Sequence, residues 1–221
     1  MKTLDDEGIK NARITQILII LNIFAFIMMY LFSQNTGSLY EKNSILRLFA
    51  LDNSGVIERF EIWRIITSLF IHQTMFHLII NMIMLFLYGS LIEKNFEKYE
   101  FILIYLISGL IGNLFSLVLY PPNTISLGAS GAIFGLIGAA FVLAARSNER
   151  IVLILALIYI VLFIIIGFEP AINIFAHFFG LLGGIGFSYF LIKRKDKLSI
   201  IEEEEELEEE VVEEVVEEET H

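Results

Sequence analysis

The sequence predicts an all-α membrane protein, a bundle of six transmembrane helices with a long first loop lying in the membrane interface. Two observations lead to this prediction. The 221-residue chain is 56% hydrophobic, contains 20 phenylalanines and has a mean hydropathy of +0.72, which is too apolar for a soluble domain of ordinary composition. Its apolar residues also form runs of about 20, the length at which a helix crosses a bilayer.

Charge and cysteine content exclude several classes of function. The chain has no cysteine, which excludes disulfides, thiolate metal sites and a cysteine nucleophile. The net charge is −11, but thirteen glutamates lie between positions 202 and 219, so the rest of the chain is slightly basic. No basic patch is interleaved with aromatic residues, and we therefore expect no nucleic-acid partner.

Three segments follow from the hydropathy pattern: a cytoplasmic N-terminal segment at 1–13, a membrane domain at 14–195 and an acidic C-terminal cytoplasmic tail at 196–221. The predicted spans cover about 14–32, 75–92, 101–119, 129–145, 151–167 and 171–192. No small-residue cleavage site follows the first run, so we interpret it as an uncleaved span. Apolar residues recur at helical spacing in the glutamate-rich tail and allow a helix there.

The first loop, from Ser33 to about Ile71, mixes charges and glycines with short apolar pieces. A structureless connection of this length would be unusual. We expect short amphipathic helices in the membrane interface, anchored by Trp63 and Arg64.

Basic residues in alternate loops predict the orientation. Eleven lysines and arginines lie on the side of the two termini and four on the other side. Both termini are therefore expected in the cytoplasm, and the expected location is the cell membrane of a prokaryote. Acidic residues contribute little to this rule, so the tail does not change it.

This orientation places four polar residues at similar depth. Spans two, four and six all run inward from the outer face, and polar side chains lie near the outer end of each. These residues are His77 and Asn81 in span two, Ser130 in span four and His177 in span six. Because polar groups inside a bilayer are costly, their common depth indicates a functional site.

A hydroxyl beside an imidazole suggests a serine nucleophile with its general base. Ser130 and His177 fit those two roles. All four aspartates lie outside the predicted spans, so we infer a dyad without a carboxylate. Small residues around the pair would let span four approach span six closely; they include Gly128, Gly131, Gly180 and Gly184.

A developing oxyanion needs hydrogen-bond donors. The amide of Ser130 is free of a helical partner at the start of a helix, and Asn81 adds a side-chain donor. His77 lies four residues earlier on the same helical face as Asn81. We expect a structural role for His72, in the approach to span two.

Other functions remain open from the residues alone. The glycine-rich run around Ser130 could be only a packing motif, and the chain could be a membrane-helix binder or chaperone, or a small-solute transporter. A transporter would show internal repeats, which we do not find. A zinc protease would need HExxH, but residues 72–77 read HQTMFH, and an aspartyl protease would need aspartates within spans.

Four motifs resemble those of the rhomboid family of intramembrane serine proteases. They are WR at 63–64, the H-x4-H-x3-N spacing of His72, His77 and Asn81, GASG at 128–131 and AHFFGLLGG at 176–184. They lie in the family's order across the predicted catalytic core.

The resemblance implies a six-helix rhomboid-like core in which Ser130 attacks a peptide bond of a transmembrane substrate and His177 is the base. It also implies that Asn81 and His77 line the oxyanion site with the Ser130 amide. Substrates would enter from the lipid bilayer near span five and the loop at 168–170. No metal or organic cofactor is implied. The oligomeric state and the role of the acidic tail stay open.

Overall fold

The computed structural model describes residues 12–33, 44–147, 150–166 and 173–219. Its elements are α1 (Arg13–Ser33), α2 (Ser44–Phe49), β1 (Leu51–Asp52), α3 (Asn53–Arg59), α4 (Arg64–Thr67), a 3-10 turn (Ser68–Phe70), α5 (Met75–Met84), a π-helical turn (Leu85–Gly89), α6 (Ser90–Asn95), α7 (Lys98–Leu119), β2 (Ile125–Ser126), α8 (Ser130–Ser147), α9 (Arg150–Ile166) and α10 (Ile174–Glu219). The predicted all-α membrane class is confirmed, because helices account for nearly all of these elements.

Five stretches of helix in the described ranges are long and apolar enough to cross a membrane. They are Arg13–Leu31, Met75–Asn95, Lys98–Leu119, Ser130–Ser147 and Ile174–Glu203. The position of the predicted fifth span is occupied by α9, whose described part has 17 residues. A count of six spans therefore stays a prediction.

Several predicted segments lie outside the described residues. They are most of the N-terminal segment, part of the first loop, and the connection before span six (1–11, 34–43 and 167–172). Residues 148–149, in the turn between spans four and five, and the last two residues of the tail are also outside.

The last helix is longer than the predicted sixth span. It runs without a break from Ile174 to Glu219, through the basic residues after 192 and into the glutamate-rich segment. No glycine or proline follows Gly186 in the sequence, and lysine and glutamate both favour helix. Charge ends the apolar part of this segment, but it does not end the helix.

Helix α8 lies at the centre of the bundle and α1 at its edge. In the most apolar window of each, 61% of residues are buried in α8 and only 17% in α1. Glycines and alanines cover most of the buried face of α8, so its neighbours can approach its main chain.

Helices α8 and α10 cross with their main chains in direct contact. A Cβ atom added at Gly180 would collide with the carbonyl oxygen of Gly131, and one added at Gly184 would collide with that of Gly135. Each pair of glycines is spaced by four residues, so two successive turns of both helices meet backbone to backbone.

The first loop contains short helices, as the sequence indicates, and Arg64 organises them from within. This arginine is only 4% exposed. It donates hydrogen bonds to the carbonyl oxygens of Arg47 and Ala50 and forms an ion pair of 2.6 Å with Glu61. Trp63 is half-exposed and donates from Nε1 to the carbonyl oxygen of Leu48 at 3.1 Å. Both residues thus hold main-chain atoms of α2 in place.

The opposite end of the bundle, predicted to be cytoplasmic, is tied together by a buried carboxylate. Glu93 accepts hydrogen bonds from the main-chain amides of Ile14 and Thr15, at 2.9 and 2.8 Å, and from the Thr15 hydroxyl at 2.8 Å. It caps the first turn of α1, whose amides lack helical partners. This contact attaches the peripheral helix to the end of span two.

The glycine crossing predicts different effects of two substitutions on the same helix. Gly184→Ala should lower the free energy of unfolding by about 1–3 kcal/mol, because the new methyl group meets main-chain atoms that cannot rotate away. Gly186→Ala should be neutral or stabilising by up to about 1 kcal/mol, since a Cβ at Gly186 meets nothing within 4 Å. Reversible unfolding in mixed detergent micelles measures both. Equal effects of the two substitutions would contradict the assigned crossing.

Two carboxylates of the first loop predict a pH-dependent step. Partial burial raises the pKa of Asp52, but hydrogen bonds from Ser54, the Gly55 amide and Arg59 outweigh it and hold that pKa below its ordinary value. Hydrogen bonds from Arg64 and Arg59 lower the pKa of Glu61. Carboxylates with a lowered pKa stabilise the folded loop above their unfolded pKa, and this is lost as the pH falls through the folded value.

Acidification from about pH 5 to about pH 3 should therefore loosen the first loop. Trp63 is the only tryptophan in the chain and reports on this segment through its fluorescence. Glu61→Gln should weaken the loop at neutral pH and reduce the amplitude of the acid transition. An unchanged transition in both Glu61→Gln and Asp52→Asn would show that these pairs are not its cause.

Candidate active site

Ser130 is the first residue of α8 and is presented by a well-anchored turn. The preceding strand β2 pairs with β1 of the first loop, with Leu51 opposite Ser126. Gly128 has φ +119°, a conformation that favours glycine, and its amide donates to the carbonyl oxygen of Ser68 at 2.9 Å. The serine is thus held from both sides, by the strand pair and by the helix that it starts.

His177 lies in the first turn of α10 and meets Ser130. Its Nε2 atom forms a hydrogen bond with the Oγ atom of Ser130. The imidazole is 7% exposed and stacks on the ring of Phe134, one turn along α8 from the serine, with centroids 4.9 Å apart. The sequence placed these residues at similar depth, and the structure brings them into direct contact.

Ala176, the residue before His177, packs against two glycines, Gly112 and Gly131. A Cβ atom at Gly112 of α7 would collide with the carbonyl oxygen of Ala176, and one at Gly131 would lie 3.3 Å from the same oxygen. Three helices therefore meet around Ala176 without intervening side chains. This contact and the Gly180 contact one turn later bring the start of α10 close to the start of α8.

His77 lies beside the turn that precedes Ser130, against Gly128. A Cβ atom on Gly128 would come within 2.9 Å of Cε1 and 3.0 Å of Nε2 of His77, and 3.7 Å from the Ser130 hydroxyl. His72 packs edge-to-face on His77 with ring centroids 5.0 Å apart and is fully buried. His77 thus borders the serine, while His72 supports His77 from behind.

Asn81 lies one turn after His77 and is 5% exposed. Its Nδ2 atom donates to the carbonyl oxygen of His77 at 2.8 Å. An amide nitrogen carries two N–H groups, so this bond orients the side chain and leaves a second donor. The structure keeps Asn81 on the helix face shared with His77.

The main-chain amides at the start of α8 are further donors. The first amides of a helix lack partners within it, and they carry its positive dipole end. The amide of Gly128 is already bonded to Ser68, so it is not one of the available donors. Within the ranges that the structure describes, no three His, Asp or Glu side chains are placed to hold a metal ion together.

Sequence reasoning missed Asn173, which precedes α10 by one residue. Its side chain contacts the hydroxyls of Ser116 and Ser126 and the amide of Ala176. An asparagine just before an apolar helical run is a recognisable N-cap signal, so its capping could have been predicted. Its two serine partners could not, because they lie about 50 residues away in the chain.

Comparison with known proteins gives a consistent result. A model of the Rhomboid domain matches residues 59–194. YdcA of Bacillus subtilis, a candidate rhomboid protease by its name, is 36% identical over 143 residues, which cover 62% of this chain and 71% of that protein. Rhomboid-like protease 3 of Toxoplasma gondii is 30% identical over 169 residues, covering 73% of this chain and 64% of that protein.

One further relative is named as inactive. Inactive RHOMBOID-like protein 8 of Arabidopsis thaliana is 37% identical over 134 residues, which cover 58% of this chain and 38% of that protein. Similarity of this degree therefore extends to a relative that is named inactive, and activity has to be argued from the site.

The turn before Ser130 predicts a specific double-mutant result. Gly128→Ala should lower the free energy of unfolding by about 1–3 kcal/mol, because alanine is strained at φ +119° and its methyl group meets the His77 ring. In a His77→Ala background the same substitution should cost less, since only the backbone strain remains. Unfolding of the four proteins of this cycle measures the difference. Additive effects would mean that His77 does not pack on Gly128.

Proposed function

The chain belongs to the rhomboid family, and from this premise we propose that it is an intramembrane serine endopeptidase acting through a Ser130–His177 dyad. Family membership supports intramembrane proteolysis by a multi-pass membrane protein in general terms. The observation that carries the specific proposal is the hydrogen bond between the Ser130 hydroxyl and Nε2 of His177. A serine hydroxyl is a weak nucleophile until an adjacent base accepts its proton, and this contact supplies such a base.

In the proposed reaction, Oγ of Ser130 attacks the carbonyl carbon of the scissile peptide while its proton passes to Nε2 of His177. The tetrahedral intermediate collapses when the imidazolium returns that proton to the leaving amine nitrogen, which leaves an acyl-enzyme. A water molecule, deprotonated by His177, then hydrolyses the ester and regenerates the serine. Stacking on Phe134 would keep the imidazole in position through both half-reactions.

The oxyanion would form beside the start of α8. The Ser130 amide and the second N–H of Asn81 are the proposed donors, with His77 bordering the same space. One well-placed donor contributes about 10²–10³ in rate. The bond from Asn81 to the His77 carbonyl supports this role, because it holds the side chain in a single orientation before the substrate arrives.

The proposed substrates are transmembrane segments of other membrane proteins, cut near the outer face of the lipid bilayer. This follows from the predicted orientation, with both termini cytoplasmic in a prokaryotic cell membrane, because the site lies at the predicted outer ends of three spans. The resemblance adds a preference for segments that unwind easily and carry small residues at the cut. No cofactor or nucleic acid takes part in this proposal.

A second candidate is a non-catalytic protein that binds membrane helices, since one relative is named inactive. Such a protein would keep the fold and the close α8–α10 crossing but would not depend on the serine hydroxyl. A small-solute transporter is the third possibility from the sequence, and no observation in the structure favours it.

One substitution separates these candidates. Purified wild-type protein should react with a fluorophosphonate probe and cleave a model transmembrane substrate, and Ser130→Ala or His177→Ala should lose both activities. Ser188→Ala is the matched control, because Ser188 is a fully buried serine on α10 whose hydroxyl bonds to Ile185. It should retain both labelling and cleavage.

Cleavage that persists in the Ser130→Ala protein would refute the proposed mechanism. Binding of the model substrate with no cleavage by the wild type, unchanged in Ser130→Ala, would instead support the non-catalytic binder.

A further inference from the structure

Asn173 caps the helix that carries His177. Its Oδ1 atom accepts a hydrogen bond from the amide of Ala176 at 2.9 Å, and its main-chain carbonyl oxygen accepts one from the amide of His177 at 3.3 Å. An N-cap residue of this kind determines where the first turn of a helix begins. The histidine lies in that first turn, so its position follows from that of Asn173.

The amide nitrogen of the Asn173 side chain forms hydrogen bonds with two serines. Nδ2 of Asn173 donates to the hydroxyl of Ser116 at 2.6 Å and to that of Ser126 at 2.7 Å. Ser116 belongs to α7 and is fully buried, and Ser126 belongs to β2 and is 8% exposed. The side-chain nitrogen of Asn173 thus donates to α7 and to β2, and its Oδ1 atom accepts from α10.

Both serines are held independently of α10. Ser126 pairs with Leu51 in the β1–β2 ladder, four residues before Ser130. The end of α7 around Ser116 is held by Asn53 of the first loop, whose Nδ2 donates to the carbonyl oxygens of Ser116 and Pro121 at 3.4 and 3.2 Å. Ser116 and Ser126 therefore have positions that do not depend on α10, and their hydrogen bonds to Asn173 can position the start of that helix.

We propose that Asn173 is a positioning residue that aligns His177 with Ser130, by joining the His177 helix to the strand that leads into Ser130. This rests on the proposed Ser130–His177 dyad. The placement of α10 and the stacking of the ring on Phe134 both affect how His177 faces Ser130. The side-chain hydrogen bonds of Asn173 go to Ser116, Ser126 and the Ala176 amide, so it acts on the pair through the elements that carry them.

Two substitutions at this position separate positioning from general stability. Asn173→Leu is similar in size but removes the cap and both donors, and kcat for a model substrate should fall about 10²-fold with KM nearly unchanged. Asn173→Asp keeps an acceptor for the Ala176 amide, and the two serine hydroxyls can donate to its second oxygen. It should recover most of the lost kcat.

Thr15→Val is the control for stability, because it removes one buried hydrogen bond, from Thr15 to Glu93, at the far end of the bundle. It should lower stability with kcat within about twofold of wild type, as expected for loss of a single bond remote from the site. If kcat falls as much in Thr15→Val as in Asn173→Leu, Asn173 contributes only to stability. That result would overturn the proposal. So would a failure of Asn173→Asp to recover activity.

A second measurement does not require activity. The chain has no cysteine, so Ser130→Cys and His177→Cys can be combined and joined with a short bis-methanethiosulfonate reagent. Crosslinking should be fast in this background, clearly slower when Asn173→Leu is added and restored with Asn173→Asp. Equal rates in all three proteins would overturn the proposal.

Activity tests the proposed protease function, and the crosslinking rate tests the proposed role of Asn173 separately. A wild type that neither cleaves nor labels would refute the proposed function, while the crosslinking rates would still decide whether Asn173 sets the distance between α8 and α10.

Discussion

The structure depends on a direct backbone contact between two helices. The carbonyl oxygens of Gly131 and Gly135 on α8 occupy the space that side chains at Gly180 and Gly184 on α10 would need. Helices in a bilayer gain little from hydrophobic exclusion, since lipid is as apolar as their side chains, and close packing becomes the main attraction between them. A hydroxyl and an imidazole at the starts of these helices can then meet without long side chains to bridge a gap.

The two polar residues also depend on the segments that precede them, because each lies in the first turn of its helix. Ser130 is positioned by the β1–β2 pair and by the turn at Gly128, which has a positive φ. The route to His177 passes through the cap at Asn173. The first loop contributes to both, since it supplies β1 and, through Asn53, holds the end of α7. The first loop thus takes part in the geometry of a site between the long helices.

Much of this arrangement could be predicted from the sequence, for reasons that are local. The all-α membrane class follows from runs of apolar residues, and the short helices of the first loop follow from its mixed pattern. The common depth of Asn81, Ser130 and His177 follows from counting basic residues in the loops. The end of the last helix did not follow, because charged residues end an apolar span while lysine and glutamate still favour helix.

The sequence by itself determined which segments are apolar enough to span a membrane, the family to which the chain belongs, and which polar residues lie near the ends of spans. Only the tertiary structure decided which of those residues meet. Arg64 donates to carbonyl groups of α2 and of the residue that follows it, Glu93 caps a helix 78 residues earlier in the chain, and Asn173 joins serines from two other elements. The physical reason is that helix length and periodicity are properties of neighbouring residues, whereas a hydrogen bond between distant segments exists only after the packing of all the helices has fixed their distance and rotation.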